Sequence, residues 1–312
     1  MSRFEQRFLW MALTLLSVAL TGCPGPRAEL RSLDHDGLKR TYALFVPASW
    51  NADHPVPLVL ALHGARGDAR VMQYLTQFNP IADREGFLLA YPEGLDKQWN
   101  DGRNAVFGHP SHANVDDVGF IHELVDRLCA EYNVDRTRIY VTGVSNGAMM
   151  CHRLACELTG LFAAAAPVIG AMPEPLPDVC TPAAPMPMLL FNGTDDRLVP
   201  WDGGDVAGRP DYGRVLSVEA TAQYWVANNG ANPVPGLVDM PDTNPHDGAQ
   251  ALRETFAAAG ESGGEVVLYR IDGGGHTWPG GARYQRPFLL GSVCRDLAAS
   301  ELIWQFFQAH TR

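Results

Sequence analysis

Short apolar runs that alternate with helical patterns restrict the fold of this chain more than any other feature. Pro57–Leu62 is wholly apolar, which is typical of a strand buried on both faces. Further strands are predicted at Thr41–Val46, Phe87–Tyr91, Arg138–Val141, Met188–Phe191 and Glu265–Ile271. Helical spacing predicts helices at Val118–Tyr132, Ala148–Leu158 and Ser217–Asn228, and a final helix that Asp296 caps. The alternation predicts an α/β fold, in which a mostly parallel central sheet carries helices on both faces.

The length and composition are those of one globular domain. The chain has 312 residues, of which 46% are hydrophobic and 19% are charged. Because open α/β proteins of this size often form one domain, residues 38–312 are predicted to be a single domain. The stretches 203–213 and 233–248 are polar and rich in Gly or Pro, which favours surface insertions over a second domain.

The charge balance excludes several classes of partner. The formal net charge is −11, whereas a nucleic-acid backbone or an anionic lipid surface attracts a basic protein. No apolar run reaches the ~18 residues that a membrane-spanning helix requires. We therefore expect no nucleic-acid partner and no polytopic membrane protein.

The N-terminus is typical of a secretion signal. Arg3 and Arg7 are the only basic residues before the apolar run Phe8–Leu20, which is too short to span a bilayer. The run ends in Leu20-Thr21-Gly22-Cys23, which resembles a bacterial lipobox, the motif whose Cys receives a diacylglycerol.

The motif divides the N-terminal segment into three expected parts. They are a signal peptide at residues 1–22, a lipid on Cys23 and a tether at residues 23–37. The protein is then extracytoplasmic, either anchored to the bacterial cell envelope or secreted, and the lipid is its only membrane contact. The alternative is an ordinary signal peptide whose Cys is incidental.

The pentapeptide Gly143-Val144-Ser145-Asn146-Gly147 is the strongest chemical signal in the chain. It stands between a predicted strand and a predicted helix, the context that a G-x-S-x-G nucleophile turn requires. A Ser on such a turn points its hydroxyl out above the sheet, and the amide of Asn146 can donate to an oxyanion. The alternative is a Gly-rich turn whose Ser has no chemical role.

A second Gly-containing loop, His63-Gly64-Ala65-Arg66-Gly67, directly follows the buried run Pro57–Leu62. A sharp loop at a strand end can present a free amide. We assign a second oxyanion donor to the Ala65 N–H, with the Arg66 N–H as the alternative. His63 is interpreted as a structural residue that shapes the loop.

Two further strand ends carry an acid and a base. Asp195 and Asp196 follow the strand Met188–Phe191, and His276 follows three glycines after the last predicted strand. The chain order Ser145, Asp, His276 is that of a nucleophile–acid–base triad on an α/β sheet. From the residues alone, either Asp195 or Asp196 can supply the acid.

The segments LVLALHGARGD, WNDGR, YVTGVSNGAMM, FNGTDDRLVP and GGGHTWPG, in this order, resemble the esterase family that groups polyhydroxybutyrate depolymerases with feruloyl and acetyl-xylan esterases. The resemblance implies an α/β-hydrolase fold and a triad acid at Asp196 rather than Asp195. It also implies a disulfide between Cys156 and Cys180. The chain departs from the family pattern at Asn192, where relatives usually have His.

Aromatic residues beside the triad loops have two interpretations. Trp278 and Trp201 either form a rim that stacks on an aryl or sugar group of a substrate, or brace the loops by packing. Trp99, on a polar loop, is less expected to bind substrate. Tyr91 and Asp117 are interpreted as structural supports.

The leading functional hypothesis is a serine esterase that acts through an acyl-enzyme. Its expected substrates are feruloyl or acetyl esters of polysaccharides, or short hydroxyalkanoate oligomers. The alternatives are a serine peptidase on the same fold and a non-catalytic envelope binding protein. No cofactor or metal is expected, since the polar stretch His109–Asp117 fits no known ligand spacing.

Overall fold

A ten-stranded sheet organises the part of the chain that the computed structural model describes, residues 28–103, 114–260, 263–282 and 290–312. Its strands are β1 (Glu29–His35), β2 (Leu38–Phe45), β3 (Val56–Leu62), β4 (Leu88–Pro92), β5 (Val134–Val144), β6 (Ala164–Val168), β7 (Met188–Gly193), β10 (Gly236–Asp239), β11 (Gln250–Phe256) and β12 (Val266–Asp272). A separate two-stranded ribbon joins β8 (Gly204–Asp205) to β9 (Arg214–Val215).

The strand order across the main sheet is β1-β2-β4-β3-β5-β6-β7-β12-β11-β10. The six central strands, from β4 to β12, pair in parallel, whereas the two strands at each edge pair antiparallel. The carboxyl ends of the six parallel strands therefore meet at one edge, where α/β proteins carry their sites.

Helices cover both faces of the sheet. The described α-helices are α1 (Ala69–Thr76), α2 (Phe78–Glu85), α3 (Asp117–Tyr132), α4 (Asn146–Glu157), α5 (Val218–Asn228) and α6 (Ala299–Gln308). Helices α3, α4 and α5 pack in one hydrophobic core, and α1, α2 and α6 pack in a second core on the opposite face. The predicted α/β architecture is confirmed. No helix among the described residues is long and apolar enough to cross a membrane.

The β3 strand shows why its sequence is wholly apolar. Leu58, Leu60 and Leu62 project into the core with α3 and α4, whereas Val59 and Ala61 project into the opposite core. All five side chains are fully buried. Because successive side chains point to opposite faces, a strand with helices on both sides leaves no position for a polar residue.

Two sequence-based expectations are wrong, and a third is incomplete. The tether expected at residues 23–37 includes β1, which pairs with β2 through a turn at Asp36 and Gly37, both at positive φ. The stretch 233–248 is not only an insertion, since Gly236–Asp239 forms the edge strand β10. Asp296 does not cap the last helix, because its carboxylate accepts the amides of Thr243 and Asn244 at 2.7 and 3.0 Å. Residues 1–22 and Cys23 lie outside the described residues.

Candidate active site

Ser145 occupies the sharp turn between β5 and α4. Its backbone has φ 56° and ψ −119°, a conformation that non-Gly residues rarely adopt and that is typical of strained functional turns. The turn is held by the Ser145 amide, which donates to the Val168 carbonyl at 3.1 Å. A Cβ at Gly147 would lie 2.4 Å from the Leu62 carbonyl oxygen, so only Gly allows α4 to approach β3 here. The hydroxyl-bearing residue remains partly exposed.

His276 and Asp196 form a buried pair at the same edge of the sheet. Asp196 follows β7 and His276 follows β12, the neighbouring strand. His276 Nδ1 lies 2.7 Å from Asp196 Oδ2. Asp196 Oδ1 accepts the amides of Leu198 and Val199 at 2.8 and 2.9 Å. The carboxylate is therefore fixed by its own loop, and its second oxygen is aimed at the imidazole.

The alternative acid, Asp195, lies elsewhere. Its side chain is exposed, and the contact that the structure gives it is with the Thr194 hydroxyl at 3.5 Å. Its backbone amide donates to the Gly274 carbonyl at 2.9 Å, which fastens the acid loop to the glycine loop before His276. Asp195 thus links the two loops, and Asp196 alone of the two carboxylates contacts His276.

The glycine loop sets the position of the imidazole. The His276 amide donates to the Leu290 carbonyl at 2.6 Å. A Cβ at Gly275 would lie 2.0 Å from that same carbonyl oxygen, so a larger residue would displace the chain. Because a carboxylate only accepts hydrogen bonds, Nδ1 carries the proton and Nε2 is left with its lone pair.

Ser145 and His276 lie at the same sheet edge but are not joined by a hydrogen bond in the described part of the chain. Hydrogen bonds between catalytic groups are often long in enzymes without substrate and shorten when substrate binds. The structure therefore brings Asp196 and His276 together, and it places Ser145 at the same sheet edge, on the strand–helix turn after β5.

The two expected oxyanion donors flank Ser145. A Cβ at Gly64 would lie 3.3 Å from the Ser145 Cβ, so the loop that carries Ala65 is adjacent to the serine. The Arg66 amide, the alternative donor, is occupied because it donates to the Lys97 carbonyl at 2.7 Å. Asn146 is the first residue of α4, where a backbone amide has no partner within the helix.

His63 has the structural role that the sequence predicted. Its Nδ1 lies 2.8 Å from the Gly64 carbonyl oxygen, and its Nε2 accepts the Gly94 amide at 2.9 Å. Both ring nitrogens therefore hold backbone. Burial lowers the pKa of the imidazole, so it stays neutral.

Of the two interpretations of Trp278 and Trp201, the substrate-stacking rim does not hold for Trp278. Trp278 is fully buried and its indole N–H donates to the Ser300 hydroxyl at 3.1 Å, so its ring is not available to stack on a substrate. Trp201 is partly buried, with its indole N–H 3.3 Å from Glu219 Oε1. Trp278 braces the core, and Trp201 alone of the two retains some exposed surface.

The expected disulfide and the two residues interpreted as structural supports, Asp117 and Tyr91, are all in the described part of the chain. Cys156, in α4, is joined to Cys180 by a disulfide. Asp117 is fully buried and accepts a hydrogen bond from Arg40 at 2.6 Å, which agrees with a structural role. Tyr91, also buried, donates to the Asn79 side chain at 2.7 Å.

One acidic cluster among the described residues has the proximity of metal ligands. Asp247, Cys294 and Asp296 offer ligand atoms within 4.8 Å of one another. Both carboxylates already accept backbone amides; Asp247, for example, accepts that of Arg295 at 2.6 Å. The two carboxylates therefore hold the backbone of neighbouring loops in place.

The sheet order and the serine turn are those of the α/β-hydrolases. The acetyl xylan esterase from Aspergillus awamori superposes with a TM-score of 0.55 at 19% identity, over 80% of this chain and 94% of that protein. A thermostable esterase superposes with a TM-score of 0.54 at 18% identity, over 91% of this chain and 63% of that protein. At these identities the likeness concerns the fold.

Sequence comparison gives the family. The profile of the family described as Esterase PHB depolymerase matches residues 40–172. The putative esterase NocK of Nocardia uniformis subsp. tsuyamanensis is 35% identical over 257 residues, 80% of this chain and 73% of that protein. Feruloyl esterase B of Piromyces equi is 28% identical over 239 residues. The matched region is 74% of this chain but only 41% of that longer relative. The chain belongs to this esterase family, and it is a carboxylic ester hydrolase.

Proposed function

We propose that the protein is a serine esterase in which Ser145 is the nucleophile, His276 the general base and acid, and Asp196 the residue that orients the imidazole. The observation that carries the proposal is the buried 2.7 Å contact between His276 Nδ1 and Asp196 Oδ2 at the sheet edge that also bears the strained Ser145 turn. Backbone amides of Ala65 and Asn146 are the proposed oxyanion donors.

The first half-reaction forms an acyl-enzyme. His276 Nε2 takes the proton from Ser145 Oγ as the oxygen attacks the ester carbonyl carbon, and the carbonyl oxygen gains a negative charge. The two amides stabilise that oxygen, and Asp196 stabilises the imidazolium. The bond to the leaving alcohol then breaks, and His276 gives its proton to the alcohol oxygen.

The second half-reaction restores the enzyme. His276 takes a proton from water as the water oxygen attacks the acyl carbon, and the same amides stabilise the second oxyanion. The bond to Ser145 Oγ breaks, the proton returns to that oxygen, and the carboxylic acid leaves. No other group is needed for either step.

The names of the relatives support a proposal for the substrate class. Their names include feruloyl esterase and acetylxylan esterase, so we propose an ester of a polysaccharide side group, with short hydroxyalkanoate oligomers as the second candidate. The acidic chain, with a net charge of −11, favours neutral ester groups over polyanions.

The first test compares the wild type with Ser145→Ala on p-nitrophenyl acetate, p-nitrophenyl butyrate and methyl ferulate. The mutant is expected to lose nearly all activity on every ester that the wild type hydrolyses. The ranking of the three esters separates an aryl-acid pocket from a short-acyl pocket. A fully active Ser145→Ala enzyme would contradict the proposal, as would cleavage of peptides in preference to esters.

We further propose that Cys23 carries a lipid and that the domain is held outside the cytoplasm. The topology supports an orientation. Strand β1 begins at Glu29, paired with Leu44 near the end of β2, and β2 ends beside Leu89 at the start of β4. Glu29 is therefore at the edge of the sheet opposite to the ends of the parallel strands.

This placement has a consequence for the substrate. Glu29 is six positions after Cys23, and an extended chain of that length spans about 20 Å at most. A lipid on Cys23 would thus hold the sheet edge that contains Glu29 next to the membrane. The opposite edge, which carries Ser145, would then face away from the membrane. The accessible substrates would be soluble or wall-bound esters rather than membrane lipids.

The anchor is tested by detergent phase partitioning. The mature protein is expected to enter the detergent phase, and Cys23→Ser is expected to remain in the aqueous phase or to retain its signal peptide. Ser145→Ala serves as the matched control, because it leaves the N-terminus intact. Identical partitioning of wild type and Cys23→Ser would contradict the anchor without affecting the proposed chemistry.

A further inference from the structure

The segment 99–103 is hydrogen-bonded to both parts of the chain that carry the proposed oxyanion donors, the loop with Ala65 and the first residue of α4. On one side, the Trp99 indole N–H donates to the His63 carbonyl at 2.8 Å, at the start of the loop with Ala65. On the other side, the Trp99 amide donates to Asn146 Oδ1 at 2.8 Å. Trp99 is almost completely buried. This explains why a Trp on a polar loop does not act as a substrate platform.

The Asn146 side chain is held at all of its polar atoms. Oδ1 accepts the Trp99 amide, and Nδ2 donates to the Trp99 carbonyl at 3.1 Å. The same Nδ2 donates to Asp101 Oδ2 at 2.6 Å. Asn146 thus pairs with the backbone N–H and C=O of Trp99 and with the Asp101 carboxylate. Its side chain cannot rotate without breaking three buried hydrogen bonds.

Asp101 is the charged member of this network. It is 3% exposed and is neutralised by Arg103, whose Nη2 and Nε lie 2.8 and 2.9 Å from Asp101 Oδ2. Arg103 is itself fixed, because its Nη1 donates to the Tyr212 carbonyl at 2.9 Å. Charge-assisted hydrogen bonds of this kind are stronger and shorter than neutral ones.

We infer that Asp101 is a positioning residue. It holds the Asn146 side chain and thereby keeps the backbone N–H of Asn146 in the oxyanion hole. This inference rests on the proposed serine mechanism. The side chain and the backbone N–H belong to the same residue. Hydrogen bonds that fix the side-chain carboxamide therefore restrict rotation of the backbone beside Ser145. Arg103 keeps the Asp101 charge from opposing the negative oxyanion nearby.

The sequence contains the signal for this network only in part. The residues Trp99-Asn100-Asp101-Gly102-Arg103 belong to a segment that resembles the family, but nothing in their order points to Asn146. The contact spans 45 positions in the chain and is created by the fold.

The test is a double-mutant cycle between Asp101→Asn and Asn146→Ala in the full chain. Asn146→Ala removes the side chain that Asp101 holds but retains the backbone amide. Each single change is expected to lower kcat and kcat/KM for p-nitrophenyl butyrate equally, by about 10- to 100-fold, with KM changed less than about twofold. The inhibition constant of phenylboronic acid, whose tetrahedral adduct places an oxygen in the oxyanion hole, is expected to rise in parallel.

The double variant decides between coupling and independence. If Asp101 acts through Asn146, the double variant is no slower than the slower single variant. Multiplication of the two losses would overturn the inference, and so would wild-type kcat in Asp101→Asn. Should Asp101→Asn fail to fold, Asn146→Ala alone decides, since wild-type kcat there excludes a role for the side chain.

Two controls separate this inference from the proposed function. Asp135→Asn removes a similar Asp–Arg contact, that of Asp135 with Arg138 at 2.7 Å, near the opposite end of β5 from Ser145, and is expected to leave kcat unchanged. Ser145→Ala reports on the mechanism itself. Activity retained in Ser145→Ala overturns the serine mechanism and this inference together, whereas an inactive Ser145→Ala beside a fully active Asp101→Asn overturns the positioning role alone.

Discussion

Two histidines follow the ends of parallel strands on this sheet, and their surroundings differ. His63 comes directly after β3 and His276 comes after β12, each on a loop that contains glycine. Both His63 nitrogens are bonded to backbone groups, at 2.8 and 2.9 Å. His276 instead has a carboxylate 2.7 Å from Nδ1, which leaves Nε2 for proton transfer. Both histidines therefore share a position at a strand end, and their hydrogen-bond partners distinguish the proposed base, His276, from the structural residue, His63.

A third histidine, His152, extends the comparison into the core. It lies in α4, seven residues after Ser145, and is fully buried. Its Nδ1 accepts the Trp225 indole N–H at 3.0 Å, and its Nε2 lies 3.3 Å from the Gly170 carbonyl. Burial lowers its pKa to about 4, so it is neutral at the pH of most natural surroundings. Proximity to the proposed nucleophile in the sequence is therefore no evidence that a histidine takes part in the chemistry.

The largest effect is expected for His276. Changing it to Gln removes the group that moves the proton in both half-reactions, and kcat is expected to fall by about 10⁵- to 10⁶-fold. The melting temperature should change little, because the Gln side-chain amide can still donate a hydrogen bond to the Asp196 carboxylate. The measurement is the steady-state rate with p-nitrophenyl butyrate. A His276→Gln enzyme that is more active than the corresponding His63→Gln enzyme would reverse the comparison.

Asp196→Asn tests the carboxylate that distinguishes His276 from the other two histidines. An amide at this position donates as well as accepts, so it favours the wrong imidazole tautomer, and kcat is expected to fall by about 10⁴-fold. Asp195→Asn is the matched control, since its side chain is exposed and does not contact His276. Equal losses in the two variants would mean that the loop, and not the Asp196 carboxylate, supports the base.

His63→Ala is expected to affect stability more than chemistry. It leaves the Gly94 amide and the Gly64 carbonyl without the partners that His63 gives them, and each buried unsatisfied group costs about 1–3 kcal/mol. Urea unfolding should show a loss of about 2–3 kcal/mol, whereas the shape of the pH profile of kcat/KM should remain that of the wild type. A changed pH profile without loss of stability would assign proton transfer to His63.

Much of the architecture could be predicted from the sequence, because its central strands are buried on both faces. Their apolar runs have no other explanation in an α/β chain, and the Ser145 turn, Asp196 and His276 each follow such a run. The edges were harder to predict. Strand β1 has mixed burial and β10 is exposed throughout, so neither has a strong apolar pattern. The Asp36-Gly37 pair was the available signal for the first hairpin.

Side-chain partners were predicted less well than positions. Trp278 stands next to a triad loop in the sequence, but its ring packs into the core beneath the loop. Asp101 lies on the same polar loop as Trp99, and the fold buries it against Asn146. Residue order tells which loops meet at the catalytic edge, whereas the direction of each side chain depends on contacts between segments far apart in the chain.

The smallest effect in this comparison is the pH dependence of stability that His152 contributes. Its pKa is lowered to about 4 in the folded chain, against about 6.5 in the unfolded chain, so the unfolded state binds the proton more readily. Stability is therefore full above pH ~6.5 and is lost progressively as the pH falls toward 4. Between pH 6.5 and 5 this single group is expected to remove about 1.5 kcal/mol.

His152→Gln isolates that contribution, because Gln does not titrate and can still accept from the Trp225 indole. The variant is expected to be less stable than the wild type at pH 7, through imperfect packing, but to lose about 1.5 kcal/mol less between pH 6.5 and 5. Urea unfolding at several pH values measures both slopes. Because His63 also has a lowered pKa through burial, some acid sensitivity remains in the variant. Parallel slopes for wild type and His152→Gln would show that this histidine is protonated as easily in the folded chain as in the unfolded one. The contrast with His276, the proposed base, would then rest on position alone.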